Sequence, residues 1–212
     1  MKEDSLSNKV YLEIRRKILS NQLVPGTRLK EDSWAKKINV SRVSVREALN
    51  RLLGENLLET GEKGGYFVKS MSAEDIHDIR ELRELLEVGA IRMGISKVTD
   101  SDIAEMERVC NDFTQMVKNG YFSGACEADV KFHESLINMA KNAKLKQAYE
   151  QSNIPLFHLK LGQTQSHMDD YELSDKEHRE ILTAIKLRDM KKAQEALITQ
   201  LRRGELASIE IY

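Results

Sequence analysis

The segment at residues 40–53 constrains the fold of this chain more than any other, because it has the pattern of a capped amphipathic helix. Ser41 is a favourable N-cap residue, and the apolar residues after it recur at helical spacing. The opposite face is polar and consists of Arg42, Ser44, Arg46 and Asn50. Two arginines one turn apart near a helix N-terminus can reach the same bases or phosphates in a DNA major groove. Two solvated surface arginines are the simpler alternative, and the flanking segments decide between the two.

Both flanks predict a winged helix-turn-helix. Upstream, apolar residues at helical spacing predict a first helix that ends near residue 22 and a short second helix at 31–38, which Asn39 would close in a left-handed cap. The second helix and the polar segment are then joined by the short turn of a helix-turn-helix. Downstream, two β-prone runs at 57–60 and 66–68 flank a glycine-rich turn that includes Gly65, which predicts a hairpin wing.

These residues resemble the winged helix-turn-helix domain of the GntR family of bacterial transcriptional regulators. The resemblance rests on the spaced motifs Pro25-Gly26-Thr27-Arg28-Leu29, Val40-Ser41-Arg42, Val45-Arg46-Glu47-Ala48-Leu49 and Arg51-Leu52. It implies that Arg42 and Arg46 contact operator DNA and that the wing glycine, Gly65, enters the minor groove. The chain departs from the family at Val43-Ser44, where threonine and proline are common. We expect this change to affect base preference rather than phosphate binding.

The distribution of charge predicts two domains with different partners. Residues 1–70 hold 14 Lys and Arg against 9 Asp and Glu, whereas residues 71–212 hold 19 against 25. Only the first segment has the positive balance expected of a domain that meets phosphate. We therefore predict a DNA-binding domain at 1–70 and a domain for effector binding and dimerisation at 71–212.

Cysteine content and hydropathy indicate the cellular compartment in which the protein is expected. The chain has two cysteines, Cys110 and Cys126, no signal peptide and no apolar run long enough to span a bilayer. Few cysteines are typical of proteins in a reducing compartment. We therefore expect a cytoplasmic protein without a membrane partner.

The second domain is predicted to be an antiparallel bundle of about six helices, which makes the whole chain mainly α. Capping-box patterns that begin at Ser72, Thr99 and Ser174 predict three helix starts. A fourth helix is expected from about residue 142 to residue 165, bent at Pro155, because a proline removes a backbone donor and bends a helix.

Polar residues on the inner stripes of this bundle predict a candidate metal site. Asp129 and His133 are four residues apart on one helix face. His178 lies in register with the apolar stripe of the fifth helix, and Gln200 with that of the sixth. One carboxylate and two imidazoles suit a divalent metal such as zinc, nickel or manganese. The alternative is that both histidines are core residues hydrogen-bonded to neighbours.

The same residues resemble the ligand-binding domain, called FCD, of the FadR subfamily of GntR regulators. The resemblance rests on the patterns Asp129-x-x-Phe132-His133 and Glu177-His178-x-x-Ile181-Leu182. It implies a metal held by an aspartate and three histidines, with a small carboxylate effector completing the coordination. Gln200 stands where the last of those histidines is expected. Because an amide oxygen is a poorer ligand than imidazole for zinc or nickel, metal binding should be weaker, shifted towards harder cations, or lost.

The resemblance also indicates residues around an effector cavity. It points to Arg83, in Leu82-Arg83-x-x-Leu86-Glu87, as a cation that flanks the cavity, and an ion pair with Glu87 is the alternative. Gln151 and His158 on the fourth helix are further candidates for the lining, with an exposed position as the alternative. The apolar stripe of the first helix of the bundle, which includes Leu82, is expected to face the core.

Three classes of function account for some of these features. A zinc-dependent hydrolase could use Asp129, His133 and His178 with an open fourth position, and His133-Glu134 begins like a metalloprotease helix. That motif requires a second histidine where Ile137 stands. An architectural DNA-binding protein would leave the buried carboxylate and imidazoles without a role. We therefore predict a non-enzymatic, ligand-responsive regulator that reads palindromic operator DNA as a homodimer, with a small organic acid as effector.

Overall fold

The computed structural model describes residues 5–19, 22–70, 72–152, 154 and 168–209. Contacts between Cα atoms divide the chain into two compact units, Met1–Met71 and Ser72–Tyr212. Nine helices and one three-stranded antiparallel sheet make up the regular structure of the described residues, so the prediction of a mainly α chain is confirmed. In the same part of the chain, no helix is long and apolar enough to cross a membrane.

The first unit is a winged helix-turn-helix, as the sequence predicts. Its helices are α1 (Leu6–Leu19), α2 (Glu31–Ile38) and α3 (Arg42–Gly54), and its strands are β1 (Arg28–Leu29), β2 (Leu58–Thr60) and β3 (Tyr66–Val68). The strand order is β1-β3-β2, and both pairs are antiparallel. The sequence does not predict β1, because a strand of two residues is too short to show alternation. Pairing with β3 decides its conformation.

Local capping chemistry determines the turn between α2 and α3. Asn39 adopts a φ of 56°, the left-handed conformation that ends α2. Ser41 then caps α3, since its hydroxyl oxygen accepts a hydrogen bond from the Ser44 N–H at 3.1 Å. Val45 and Leu49 of α3 are buried in the core of the unit. The polar face of α3 consequently points away from that core.

The second unit consists of six helices within the described residues, as predicted. They are α4 (Ala73–Gly94), α5 (Asp100–Lys118), α6 (Phe122–Met139), α7 (Ala143–Gln151), α8 (Met168–Lys186) and α9 (Met190–Ile209). Capping boxes at Ser72 and Thr99 begin α4 and α5, in agreement with the sequence pattern. The main core lies among α4, α5, α6, α8 and α9, and its buried residues include Phe132, Leu136, Ile181, Ile185 and Leu197.

Helix α7 is shorter than the sequence pattern predicts. It ends at Gln151, and Ser152 follows as its C-cap residue. The prediction of one helix from about residue 142 to residue 165 is therefore wrong. A residue that precedes proline avoids helical conformations, so a helix more often stops ahead of a proline such as Pro155 than bends through it. Pro155 itself lies outside the described residues.

Helix α8 begins at Met168, whereas the pattern at Ser174 predicts a start at about residue 175. Ser174 and Glu177 lie inside the helix and bind the guanidinium group of Arg203 on α9. The distances are 2.7 Å from Nη2 to Ser174 Oγ and 2.8 Å from Nε to Glu177 Oε1. The prediction is wrong because a partner on another helix binds the side chains that a local cap would use.

The buried face of α4 carries two charged residues in addition to apolar residues that the sequence predicts there. Arg83 and Glu87 are buried together with Ile76 and Ala90, whereas Leu82 is 37% exposed. Charged side chains are rarely buried unless they are paired, and these two form an ion pair at 2.7 Å. Most of the predicted apolar stripe also faces the core: Ile76 and Ala90 are buried, and Ile79, Leu86 and Met93 pack against buried residues. Only Leu82 of that stripe is wrongly predicted to face the core.

Candidate DNA-binding surface and candidate metal centre

Two arginines extend from the exposed polar face of α3. The side chains of Arg42 and Arg46 are 60% and 53% exposed. Arg46 donates two hydrogen bonds to Glu31, at 2.7 and 2.8 Å, and these bonds lower the pKa of the Glu31 carboxyl. Arg42 lies 3.6 Å from Glu31 and 3.0 Å from Asp32. The structure thus places the two predicted DNA contacts side by side, and it adds two carboxylates that the sequence pattern does not single out.

The other polar residues of this face are engaged within the unit. Ser44 Oγ lies 3.0 Å from Ser41 Oγ. The hydroxyl of Tyr66, on β3, donates to Asn50 Oδ1 at 2.6 Å. Asn50 therefore ties α3 to the wing through its oxygen. Val43 is exposed on the same helix, and such an apolar side chain suits contact with a thymine methyl group.

Gly65 lies in the wing turn beside a third arginine. Gly64 and Gly65 adopt positive φ values of 78° and 94°, which glycine tolerates better than other residues. A Cβ atom on Gly65 would lie 3.4 Å from the side chain of Arg28, whose guanidinium carbon is 5.8 Å from the ring centre of Phe67. The sequence motif contains Arg28, but only the pairing of β1 with β3 places it beside the wing.

In the second unit, α6 and α8 bring three buried polar side chains together. Asp129 and His133 lie on α6 and His178 lies on α8, and each offers a ligand atom within 4.8 Å of the other two. Asp129 Oδ1 is 3.0 Å from His178 Nε2 and 3.9 Å from His133 Nε2. The structure therefore brings together three of the four residues of the predicted metal site in one cluster, which we call the Asp-His-His cluster.

The Asp-His-His cluster has the donors and the spacing that a divalent cation requires. Ligand atoms in a tetrahedral zinc site with bonds of about 2.0–2.1 Å are about 3.3–3.4 Å apart. The two separations from Asp129 Oδ1, 3.0 and 3.9 Å, lie on either side of that value. The 3.0 Å contact has the length of a hydrogen bond but not its direction, so both ring nitrogens of His178 lack a hydrogen-bond partner within the described residues.

Unsatisfied buried atoms support the same fit. Among the described residues, Gln200 Oε1 is buried without a partner, as are the His178 nitrogens. Leaving a buried polar atom unpaired costs about 1–3 kcal/mol. A neutral imidazole has one nitrogen with a lone pair, and a cation that accepts this lone pair would remove the cost at that nitrogen. The residues of the Asp-His-His cluster therefore fit a bound metal.

Glu87 on α4 belongs to this site, although the sequence pattern predicts only its pairing with Arg83. It is fully buried, its Oε2 lies 2.6 Å from His133 Nδ1, and its Oε1 accepts a hydrogen bond from Arg83 Nε at 2.7 Å. Burial alone would raise the pKa of Glu87, but the charge of Arg83 and the hydrogen bonds from Arg83 and His133 outweigh it and lower the pKa to about 2. Glu87 is therefore ionised at neutral pH.

The ionised Glu87 determines which nitrogen of His133 carries the proton. Burial lowers the pKa of His133 to about 4, so the imidazole is neutral at neutral pH. A carboxylate can only accept, hence Nδ1 of His133 donates to Glu87 Oε2. The unprotonated Nε2 then lies on the side of Asp129. This is the tautomer that a metal ligand requires.

Gln200 lies on α9, which packs against α8, the helix of His178. It is buried, and it precedes Arg203 by about one helical turn. Arg203 binds Glu177, the residue directly before His178. The ring of Phe132 packs against the imidazole of His178, with centroids 4.2 Å apart. Packing and cross-helix contacts therefore hold His178 and the segment of α8 that carries it.

The residues predicted to line an effector cavity lie in different environments. Arg83 is buried in its ion pair with Glu87, and its Nη2 has no hydrogen-bond partner within the described part of the chain. Gln151 is exposed at the last residue of α7, so the structure does not bring it to the buried cluster. His158 lies outside the described residues.

Two residues of α6 do not have the positions that a hydrolytic site would require. Glu134 follows His133 but is exposed, so it does not share the buried environment of the cluster. Ile137, at the position of the second metalloprotease histidine, packs in the core with Ala90 and Tyr149. The geometry offers no support for the hydrolase alternative.

A winged helix-turn-helix unit joined to an all-helical unit is the architecture of a transcriptional regulator. The family model described as bacterial regulatory proteins, gntR family, matches residues 6–68. The model of the FCD domain matches residues 78–203. The chain therefore belongs to the GntR family and carries an FCD domain, as its motifs predict.

Relatives of known name are also transcriptional regulators. An uncharacterized HTH-type transcriptional regulator of Bacillus subtilis, YdhC, is 26% identical over 190 residues, which cover 89% of this chain and 84% of that protein. The Nta operon transcriptional regulator of Aminobacter aminovorans is 36% identical over 124 residues, 57% of each chain. The chain is thus similar to regulators over both of its units.

Solved structures share the fold. McbR/YncC of Escherichia coli has a TM-score of 0.82 at 20% identity, with 98% of this chain and 99% of that chain covered. A putative GntR regulator from Rhodococcus sp. RHA1 has a TM-score of 0.84 at 21% identity, with 97% and 98% covered. At these identities the likeness concerns the fold.

Proposed function

We propose that this chain is a ligand-responsive regulator that binds palindromic operator DNA as a homodimer and responds to a small organic acid. The observation that carries the proposal is the pair of exposed arginines, Arg42 and Arg46, on the capped helix α3. The Asp-His-His cluster supports the effector part of the proposal, because it offers a buried place for a metal-bound carboxylate.

In the proposed complex α3 enters the major groove. Without DNA, Glu31 and Asp32 hold the two guanidinium groups of Arg42 and Arg46. Guanine edges and phosphate oxygens are acceptors of the same kind, so DNA replaces these carboxylates and each arginine stays paired. Ser44 and Asn50 lie on the same face, and Ser41 lies at its N-terminal end. Gly65 of the wing would contact the adjacent minor groove, with Arg28 beside it.

In the second unit, Asp129, His133 and His178 would hold the metal, with Gln200 as a weaker fourth donor. When bound, the metal supplies a positive charge to which an effector carboxylate attaches. Glu87 orients His133, and the unpaired Nη2 of Arg83 is a buried donor available to a carboxylate. Because Gln200 contributes an amide oxygen, a harder cation such as manganese should compete better with zinc or nickel here than at an all-histidine site.

The effector would act on DNA binding through the homodimer. Two recognition helices related by a two-fold axis read a palindrome only at one spacing. An effector that binds one arrangement of the dimer better than another shifts the population of arrangements, and so changes operator affinity by its difference in binding free energy.

Two measurements test the proposal. The full-length chain is used to select duplexes from a random-sequence pool, and the enriched sequence should be a palindrome. A thermal-shift panel of small organic acids, each with and without zinc or manganese, should raise the melting temperature for at least one acid, because a ligand of the native state stabilises it. A pool without enrichment would contradict the DNA-binding part, and a panel without any shift would contradict the effector part.

Replacing Glu87 with glutamine should weaken zinc binding by roughly 10- to 100-fold, the range for loss of a residue that orients a metal ligand. The neutral amide no longer holds the Nδ1 proton of His133 with a full charge, and it leaves Arg83 without its counter-ion. Zinc affinity is measured by calorimetry in the full chain.

Glu205→Gln is the matched control for this variant. Glu205 is also a partly buried carboxylate of the second unit, and it pairs with Arg80 at 2.9 Å away from the cluster. Both variants are expected to lower the melting temperature, but only Glu87→Gln should change zinc affinity. Equal zinc affinity in the two variants would show that Glu87 has a structural role alone.

The fragment 72–212 should fold, bind zinc as the full chain does and lack specific DNA affinity. Its residues form one compact unit with its own core and the complete Asp-His-His cluster. Circular dichroism, zinc calorimetry and a mobility-shift titration with the selected duplex check the three parts. Specific binding of that duplex by the fragment would contradict the proposed division between the units.

A further inference from the structure

The outward face of α4 is apolar although it lies on the surface of the second unit. Leu85 is 72% exposed and Leu82 is 37% exposed, and Met190 of α9 is exposed beside them. These residues and the half-buried Val88 line an open groove. Exposed apolar side chains that adjoin one another, unlike scattered ones, indicate a surface that another molecule covers.

Gly89 on this face is not explained by contacts within the chain. A Cβ atom there would meet only the Met93 Cε atom, at 3.9 Å, which is an ordinary contact, and the residue does not adopt a positive φ. Gly89 lies inside a helix of 22 residues, and glycine at such a position makes a helix less stable than alanine does. A small residue at an exposed helix position does, however, let a second helix approach closely.

The charges on this face are arranged so that the surface complements itself. Glu81 and Glu84 lie at one end of the groove, where both also pair with Arg80, and Arg92 lies at the other end. Arg92 is exposed and has no ion-pair partner among the described residues. Glu81 and Arg92 are 11 positions apart, which corresponds to about 16 Å along the helix. An antiparallel copy of α4 would therefore place its Arg92 opposite the carboxylates, and a two-fold axis would repeat the contact.

We propose that this face of α4 is the contact surface between two copies of the chain, which rests on the homodimer of the proposed function. The two α4 helices pair antiparallel about an axis between Leu85 and Val88. Leu85 of each copy packs on Val88 and Gly89 of the other, where the absence of a side chain at Gly89 admits it. Arg92 of each copy pairs with Glu81 of the other.

The same helix also contacts the Asp-His-His cluster, from its other side. Arg83 and Glu87 are buried towards His133, whereas Leu85 between them in sequence is exposed. A shift of α4 caused by a ligand at Arg83 and Glu87 therefore moves the contact surface directly. No chain of intermediate residues is needed to link the effector site to the arrangement of the dimer.

Sedimentation equilibrium of the full-length chain over a range of concentrations tests the proposal. Leu85→Glu should raise the dimer dissociation constant by roughly 30-fold or more, as expected for a buried residue at an interface centre. Leu187→Glu is the matched control, because Leu187 is 70% exposed in the same unit but does not line the groove. The control should leave the dissociation constant unchanged, and an equal loss in both variants would overturn the proposal.

A charge exchange tests the antiparallel pairing. Arg92→Glu alone should weaken the dimer, because it places like charges opposite each other, and Glu81→Arg alone should do the same. The variant with both substitutions should recover most of the affinity of the unaltered chain. Failure of the double variant to recover would overturn this pairing.

The sedimentation results distinguish the proposed contact through α4 from the homodimer itself. A chain that is monomeric at every concentration would contradict the homodimer itself. A chain that is dimeric and unaffected by Leu85→Glu and Arg92→Glu would leave the homodimer standing and would assign its contact to another surface. Circular dichroism of each variant establishes that the change in assembly is not caused by unfolding.

Discussion

Replacing His178 with alanine should abolish zinc binding, because it removes one of only two nitrogen donors of the Asp-His-His cluster. Loss of a direct ligand should exceed the roughly 10- to 100-fold effect of an orienting residue. His133→Ala should have the same result. Metal content after dialysis and zinc calorimetry check the expectation, and they should also show a reduced response to any organic acid whose binding depends on the metal.

His77→Ala is the control for these variants, since His77 is a half-exposed histidine that pairs with Glu205 away from the cluster. Gln200→His is the complementary change, and it should tighten zinc or nickel binding because imidazole replaces an amide oxygen. If the unaltered chain and Gln200→His both remain metal-free, the cluster is not a metal site. A pocket that binds an organic anion directly through Arg83 and His133 would then be the better interpretation.

Replacing Arg46 or Arg42 with alanine should weaken binding to the selected duplex by roughly 1–3 kcal/mol for each base that the arginine reads. This corresponds to roughly 5- to 150-fold in the dissociation constant. The Arg46 variant also leaves the Glu31 carboxylate without its main partner. In the complex this negative charge lies close to DNA phosphate, and the repulsion weakens binding further. A mobility-shift titration at fixed salt measures the effect, and the melting temperature should change little because both side chains are exposed.

Arg108→Ala is the matched control for charge and exposure. Arg108 is 57% exposed and pairs with two carboxylates, as Arg42 does, but it lies on α5 of the other unit. Its loss should leave affinity for the selected duplex nearly unchanged. Unaltered affinity in Arg42→Ala and Arg46→Ala, at the level of this control, would exclude α3 as the recognition helix.

The amino-acid sequence by itself determined those features whose causes are local in the chain. The left-handed Asn39, the Ser41 cap and the capping boxes at Ser72 and Thr99 depend on side chains within a few residues of the backbone groups that they bind. Helical spacing likewise brings Asp129 and His133 to one face of α6 without help from other helices. Motif and period were therefore sufficient for the winged helix-turn-helix, the helical second unit and part of the cluster.

Only the tertiary structure decided the features that depend on a partner distant in sequence. Glu87 binds His133, which is 46 residues away in sequence. Ser174 and Glu177 bind Arg203 on another helix, although their spacing predicts that they form a local helix cap. The charged part of the face that α4 buries was decided in the same way. The spacing of apolar residues predicts most of that face, but it does not predict that the ion pair of Arg83 and Glu87 is buried beside them while Leu82 is 37% exposed. The burial of Glu87 beside His133 therefore depends on contacts between helices that are distant in sequence.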